Sequence, residues 1–124
     1  MKAIWLAALV MATLFAGTVV AEPGALHGSW KGPWYIGMSS GVVAMEIAGD
    51  GTGKIALTNL EEFGTEPVSM AKQSFDGKVF TFSATGANGA VLAMSLQLGE
   101  GGRQLRGNGK HAGFGARMEL QRTE

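Results

Sequence analysis

The chain has 124 residues, ten basic and ten acidic side chains, 20 glycines, three prolines and no cysteine. This length favours one domain, and the lack of cysteine excludes both disulfides and thiolate metal sites. The balanced charge leaves no basic stripe that would neutralise phosphates, so the sequence predicts no nucleic-acid partner.

Residues 1–21 have the pattern of a secretory signal peptide. Lys2 supplies the positive start, AIWLAALVMATLFA is the apolar run, and small residues at Val19 and Ala21 precede a cleavage point. The alternative is an uncleaved anchor helix. We expect cleavage near Ala21, which leaves residues 22–124 as one soluble domain that does not span a membrane. Because small exported domains usually carry disulfides and this one has none, a bacterial periplasm or exterior fits best.

The rest of the chain alternates apolar and polar residues in short segments that glycine-rich turns separate. Asp76-Gly77 and Asn88-Gly89 predict type I′ hairpin turns, in which both central residues need a positive φ. The connection over residues 61–66 is the longest and is acidic, which indicates a solvated loop. The pattern predicts eight strands, at 29–38, 41–49, 53–60, 67–75, 78–85, 90–98, 103–110 and 114–122.

Consecutive hairpins with one apolar face predict an all-β fold. Eight short strands bury that face best as an antiparallel up-and-down β-barrel, here preceded by the signal-peptide helix. A two-sheet sandwich is the alternative, but it needs longer crossover connections. The predicted inward side chains are Trp30, Trp34, Ile36, Val43, Met45, Ile47, Ile55, Leu57, Val68, Met70, Phe80, Phe82, Leu92, Met94, Leu96, Leu98, Leu105, Phe114, Met118 and Leu120.

The alternation also predicts the direction of one aromatic residue and of two glycines. Tyr35 has the opposite parity to its neighbours Trp34 and Ile36 and is expected to face outwards. Gly107 and Gly109 share the inward parity, so we expect them to leave space for a tryptophan or for a ligand.

Both ends of the predicted domain resemble a known family. Leu26-His27-Gly28-Ser29-Trp30-Lys31-Gly32 resembles the G-x-W start of lipocalin-like (calycin) barrels, especially short bacterial exported domains that begin L-x-G-x-W-x-G. Residues 118–122 resemble the apolar–x–apolar–x–Arg ending of the same group. The resemblance implies a lipocalin-like barrel whose structural floor is Trp30, with Arg122 over its ring. The C-terminal helix of typical lipocalins does not follow.

Two functions remain open from the sequence. The first is a non-enzymatic exported barrel that binds a small hydrophobic ligand in its interior, where methionine and aromatic side chains adapt to an acyl or aromatic group. The second is a filled-core barrel that acts through its surface, as a periplasmic interaction module or as an inhibitor of a hydrolase or protease. The candidate interior lining is Trp34, Ile36, Met45, Met70, Phe80, Phe82 and Met94.

Catalytic and metal chemistry have little support in the sequence. No His–carboxylate pattern accompanies the serines, so we expect no catalytic residues and no cofactor. His27 and His111 are the two histidines of the chain, and they lie far apart in sequence. We therefore expect no metal site.

Overall fold

The computed structural model describes residues 23–61, 63–64 and 66–123, and in these residues nine antiparallel strands form one sheet that curves into a nearly closed barrel. The predicted signal peptide at 1–21 lies outside the described residues. Short 3₁₀ turns span Pro23–Leu26 and Glu100–Gly102. The strands are β1 Gly28–Ile36, β2 Ser39–Ile47, β3 Gly53–Leu57, β4 Val68–Ser69, β5 Ala71–Phe75, β6 Val79–Thr85, β7 Val91–Leu98, β8 Gln104–His111 and β9 Phe114–Arg122.

The first and last strands close the barrel on one side. The order in the sheet is β4-β3-β2-β1-β9-β8-β7-β6-β5, so every strand except the outer two has a partner on each edge. β1 pairs with β9 from Trp30↔Arg122 to Ile36↔Ala116. All nine strands belong to one sheet, and each is paired with the next strand in this order. The fold is therefore a barrel, because a sandwich would divide the strands between two sheets.

The prediction of eight strands is wrong by one, because the segment 67–75 forms two strands. β4 pairs with β3 through Ile55↔Val68, whereas β5 pairs with β6 through Phe75↔Phe80. The chain changes partner around Met70, and Lys72 just beyond it has a φ of 55°. A strand that must leave one edge of the sheet and join the other bends sharply, and the hydrogen-bond ladder is interrupted there.

The predicted interior is largely buried. Of the inward set, Val68 and Leu98 are half-buried and Phe114 is 61% exposed, while the others are buried. The prediction for Phe114 is wrong because this residue directly follows the β8–β9 turn and lies on the rim, where no interior remains to be filled. Tyr35 faces outwards as expected and is exposed.

The strand glycines permit close approach between neighbouring backbones. A Cβ on Gly107 would overlap the Ser95 carbonyl oxygen, and one on Gly109 would overlap that of Ala93. The expectation that these two glycines make space for a tryptophan or a ligand is therefore wrong. Instead they let β8 lie tightly against β7, and such glycine positions allow a sheet to curve enough to close.

The two hairpin turns also differ from the predicted type I′ geometry. Gly77 and Gly89 have positive φ values of 97° and 91°, but the residues before them do not have positive φ. Asp76 and Asn88 instead accept hydrogen bonds from backbone N–H groups of their own turns. These side-chain bonds replace the second left-handed residue as the means of turning the chain.

Candidate functional site

One end of the barrel, the floor end, is closed by Trp30. Its ring is buried, and its Nε1–H donates a hydrogen bond of 2.9 Å to the carbonyl oxygen of Leu26. The Arg122 guanidinium lies over the ring, 4.3 Å from its centroid. The two side chains meet because β1 and β9 pair at these two residues.

Arg122 also ties two separate turns to the floor end. Its guanidinium donates to the carbonyl oxygens of His27 at 2.5 Å and Ala25 at 2.8 Å, both in the N-terminal segment. It donates twice more to the carbonyl oxygen of Gly102, at 3.1 and 3.2 Å, in the turn before β8. Gly28 leaves room for this, because a Cβ there would lie 2.9 Å from the guanidinium. Three carbonyls around one cation close the floor end.

The seven candidate lining residues pack into one core cluster. Each is at most 7% exposed. The Trp34 Nε1–H donates a hydrogen bond of 2.9 Å to the Thr58 carbonyl oxygen, and Gly41 leaves space for this ring. Phe80 and Phe82 stack on each other with ring centroids 5.2 Å apart. The structure therefore brings these side chains together as packing partners. The set is Trp34, Ile36, Met45, Met70, Phe80, Phe82 and Met94.

The opposite end, the mouth end, is closed by Phe63, which lies in the segment 61–66 that was predicted to be a solvated loop. Phe63 is fully buried, and its carbonyl oxygen accepts a hydrogen bond of 3.0 Å from the Ala87 N–H. Gly86 permits this approach, because a Cβ there would lie 2.7 Å from the Phe63 Cα. The available signal was one aromatic residue in an otherwise acidic loop, since a large apolar side chain is rarely left in water when a core is near.

His111 is a buried polar residue at the mouth end. It is 2% exposed, its ring lies 6.1 Å from that of Phe63, and its Nε2 has no hydrogen-bond partner among the described residues. His27 lies at the other end of the barrel, next to the start of β1, so the two histidines do not meet. Within the described ranges no group of three or more His, Cys, Asp or Glu side chains could hold a metal ion.

A half-open cleft of about 150 Å³ adjoins His111 at the mouth end. Its rim carries exposed Met38 and Phe114, and its buried members are Ile36, Leu60 and His111. We call it the mouth cleft. Its full lining is Ile36, Gly37, Met38, Ser39, Leu60, His111, Ala112 and Phe114.

Further grooves lie outside the core. A groove of about 650 Å³ at the floor end has the buried Ile47 and Met70 beside the exposed Glu46 and Lys54. Another, of about 460 Å³, crosses β6, β7 and β8. On β9, Arg117 lies over the Tyr35 ring at 4.7 Å and within 3.7 Å of Glu119. These surfaces combine apolar and charged groups.

Asp50 and Asp76, whose pKa values are lowered, lie in exposed turns. Hydrogen bonds from the Thr52 side chain and backbone lower the pKa of Asp50. Backbone hydrogen bonds from Val79 and Lys78 lower the pKa of Asp76. A carboxylate that accepts several N–H or O–H donors is stabilised in its charged form. Both pKa values are therefore lowered by hydrogen bonds within the turns, and these bonds give the two carboxylates a structural role.

The comparison with solved structures agrees with the barrel. No helix in the described part of the chain is long and apolar enough to cross a membrane. No protein-family model and no curated protein matches the sequence. Among solved structures, a redesigned β-barrel is similar over 87% of this chain and 100% of its own length, with a TM-score of 0.68 and 16% sequence identity. At this identity the likeness shows one thing about the chain, its β-barrel fold.

Proposed function

We propose that this protein is a non-enzymatic exported barrel with a filled core, which acts through its outer surface as a periplasmic interaction module or hydrolase inhibitor. The observation that carries the proposal is the closure of both ends by side chains. Trp30 and Arg122 close the floor end, and Phe63 closes the mouth end.

The packing of the core supports this function over interior binding. In the described residues, an acyl chain that enters at the mouth end would displace Phe63, and one that enters at the floor end would displace Trp30 together with the hydrogen bonds of Arg122. Either route exposes a large aromatic ring, and the floor route also breaks the buried hydrogen bond of Trp30. Both cost free energy that an apolar ligand would have to offset.

Export and family membership belong to the same proposal. The n-region, apolar run and small residues of 1–21 support cleavage near Ala21. The lipocalin-like assignment rests on the G-x-W start at Gly28 and Trp30 and on the Arg122 contact with the Trp30 ring. N-terminal sequencing of the protein from an expressing Gram-negative bacterium should begin at Glu22. Recovery of a chain that still starts at Met1 would contradict export by cleavage.

A second candidate function is binding of a small apolar ligand inside the barrel. Its specific support is the lining itself, because Met45, Met70 and Met94 are flexible side chains that can re-pack around a guest. The buried Nε2 of His111, which lacks a partner in the described residues, would also gain from a polar group on such a guest.

One experiment separates the two functions. The purified protein is extracted and analysed by mass spectrometry for a bound lipid, and oleate is then titrated while tryptophan fluorescence is followed. We expect no stoichiometric lipid and no saturable change, because Trp30 and Trp34 are held by buried or part-buried hydrogen bonds in the native core. A co-purified lipid, or saturable quenching with one oleate per chain, would replace the filled-core proposal by interior binding.

The Phe63→Leu variant is a useful companion in this titration. It shortens the plug at the mouth end while keeping an apolar side chain there. If the native interior is closed by Phe63, this variant gains oleate-dependent fluorescence changes that the native protein lacks. Val42→Ala, at an exposed apolar position on β2, is the control and should behave as the native protein.

A further inference from the structure

All the sulfur in this chain belongs to methionine. The sequence has no cysteine and seven methionines, and five of the methionines lie in the described residues. Four of these five belong to the core and are at most 7% exposed, whereas Met38 is 104% exposed. The structure therefore separates one thioether from the others. The buried ones are Met45, Met70, Met94 and Met118.

Met38 lies in the tight turn that joins β1 to β2. β1 ends at Ile36 and β2 begins at Ser39, so the turn consists of Gly37 and Met38. Gly37 adopts the left-handed conformation, with a φ of 57°. The Met38 side chain projects from the mouth end into solvent, where no described residue covers it.

Exposure decides whether a peroxide can oxidise a thioether. A lone pair of the sulfur attacks one oxygen of the peroxide, the O–O bond breaks, and an S–O bond forms as the sulfur becomes a sulfoxide. With hydrogen peroxide, the proton of the transferred oxygen moves to the departing oxygen, and the peroxide is reduced to water. The oxidant must touch the sulfur, so a methionine in the core reacts only when the surrounding structure opens locally.

The product is also accommodated differently at the two kinds of position. A sulfoxide is polar, so in the core it would be a buried acceptor without a donor, which costs free energy. At Met38 the same group is hydrated, because the side chain is in water before and after oxidation. The folded barrel can therefore carry an oxygen on Met38 without any change in its core.

We propose that Met38 is a reversible oxidation site whose substrate class is the hydroperoxides. Reversal requires a thiol-dependent sulfoxide reductase. A pair of thiols supplies the electrons and becomes a disulfide, the S–O bond breaks, and the oxygen leaves as water. The chain has no cysteine, so these thiols come from another protein.

Oxidation at this position also changes the surface of the mouth end. It replaces a fully exposed apolar side chain by a polar one while the fold stays the same. An effect of this change on a partner rests on the proposed surface function. The oxidation itself does not depend on that function.

The test is treatment of the full chain with hydrogen peroxide, followed by trypsin digestion and mass spectrometry. Trypsin cuts after Lys31 and Lys54, so Met38 and Met45 share the peptide 32–54, and fragmentation assigns the added oxygen to one of them. We expect Met38 to react within about threefold of the rate of N-acetylmethionine amide, and Met45 at least about tenfold more slowly than Met38. In urea the two rates should become equal. Equal rates in the native protein would overturn the proposal.

Variants assign the reaction to one sulfur. Met38→Leu should abolish the oxygen uptake of peptide 32–54 at the peroxide dose that modifies the native protein. Met45→Leu is the matched control, a swap of similar volume in the core, and should take up as much oxygen as the native protein. Uptake that persists in Met38→Leu would refute the assignment. If Met45→Leu fails to fold, the comparison of native and urea-treated protein still decides.

Reversibility is measured on the folded protein that carries one oxygen. Reductases for both sulfoxide epimers, with dithiothreitol as the thiol, should remove the oxygen from Met38. The midpoint of urea unfolding should be the same before and after oxidation. A sulfoxide that the reductases leave in place, or a shifted midpoint, would overturn the proposal of a reversible site outside the core. The oleate titration reads the core, so a failure of the filled-core proposal and a failure of this site give different results.

Discussion

Replacing Arg122 with alanine tests how firmly the floor end of the barrel is closed. This guanidinium donates four hydrogen bonds to three carbonyl oxygens and covers the Trp30 ring at 4.3 Å. The carbonyls belong to the N-terminal segment and to the turn before β8. The substitution therefore removes four side-chain hydrogen bonds that join these two segments to β9.

The expected size of the effect follows from the environment of each contact. The bonds to Ala25 and His27 are exposed, so water replaces the lost partner and each contributes about 0.5 kcal/mol. The part-buried pair to Gly102 contributes about 1.5 kcal/mol, and the contact with the Trp30 ring about 1 kcal/mol. We expect Arg122→Ala to lower the free energy of unfolding by about 3.5 kcal/mol. For a domain of this size the Tm then falls by about 15 °C.

The assay is equilibrium unfolding in urea followed by tryptophan fluorescence, with a thermal melt as a second measurement. Arg117→Ala is the matched control, because Arg117 also lies over an aromatic ring, Tyr35, but has a 56% exposed side chain and one 3.7 Å ion pair. We expect it to cost about 0.5 kcal/mol. Equal losses in the two variants would refute the argument that Arg122 closes the floor. Arg122→Lys should fall between them, since an ammonium cannot reach three carbonyls as a planar fork does.

Three further predictions concern backbone contact, a buried polar atom and a turn. Gly32→Ala should lower the free energy of unfolding by about 3 kcal/mol, because its Cβ would overlap the backbone of the neighbouring strand. Gly115→Ala is the control. It has free space around its Cβ and should change stability by less than about 0.5 kcal/mol in the same urea assay. His111→Leu should raise the free energy of unfolding by about 1 kcal/mol, since it removes a buried atom without a partner in the described residues; a loss of stability would indicate that Nε2 is satisfied in solution. Backbone hydrogen bonds, from Val79 first, lower the pKa of Asp76, so its contribution is present above the ordinary value of 3.8 and disappears as pH falls through the lowered pKa. The native protein should therefore be more stable than Asp76→Asn at neutral pH, and a difference that persists in strong acid would contradict this cause.

Most of the strands were predicted from local patterns, namely the alternation of apolar and polar residues and the turn residues between them. Alternation placed Trp30 and Trp34 on the buried face and Tyr35 on the exposed one, because the side-chain period of a strand is two wherever the strand lies. The same rule failed at Phe114, where the strand reaches the rim and an inward direction no longer means an apolar environment. Alternation predicts which face of the strand a side chain is on. Whether that face is covered by other residues depends on the rest of the fold.

The candidate site shows the same division. The contact between Arg122 and Trp30 was expected from the resemblance of residues 26–32 and 118–122 to lipocalin-like barrels. The Phe63 plug and the mouth cleft were not, because each depends on loops that carry no periodic pattern. Leu60 and His111 are 51 positions apart in number, and they line one cleft because the barrel closes around them.

By itself, the sequence determined that this protein is built from short antiparallel strands with one apolar face, because alternation and turn residues act over a few neighbouring positions. Only the tertiary structure decided that segment 67–75 divides between the two outer edges, that Gly107 and Gly109 serve backbone approach, and that Phe63 fills the mouth end. The physical reason is closure. When a sheet closes into a barrel, its closure decides which strand bends, which backbones touch and which loop residue covers the open end. None of these is a property of a local stretch of chain.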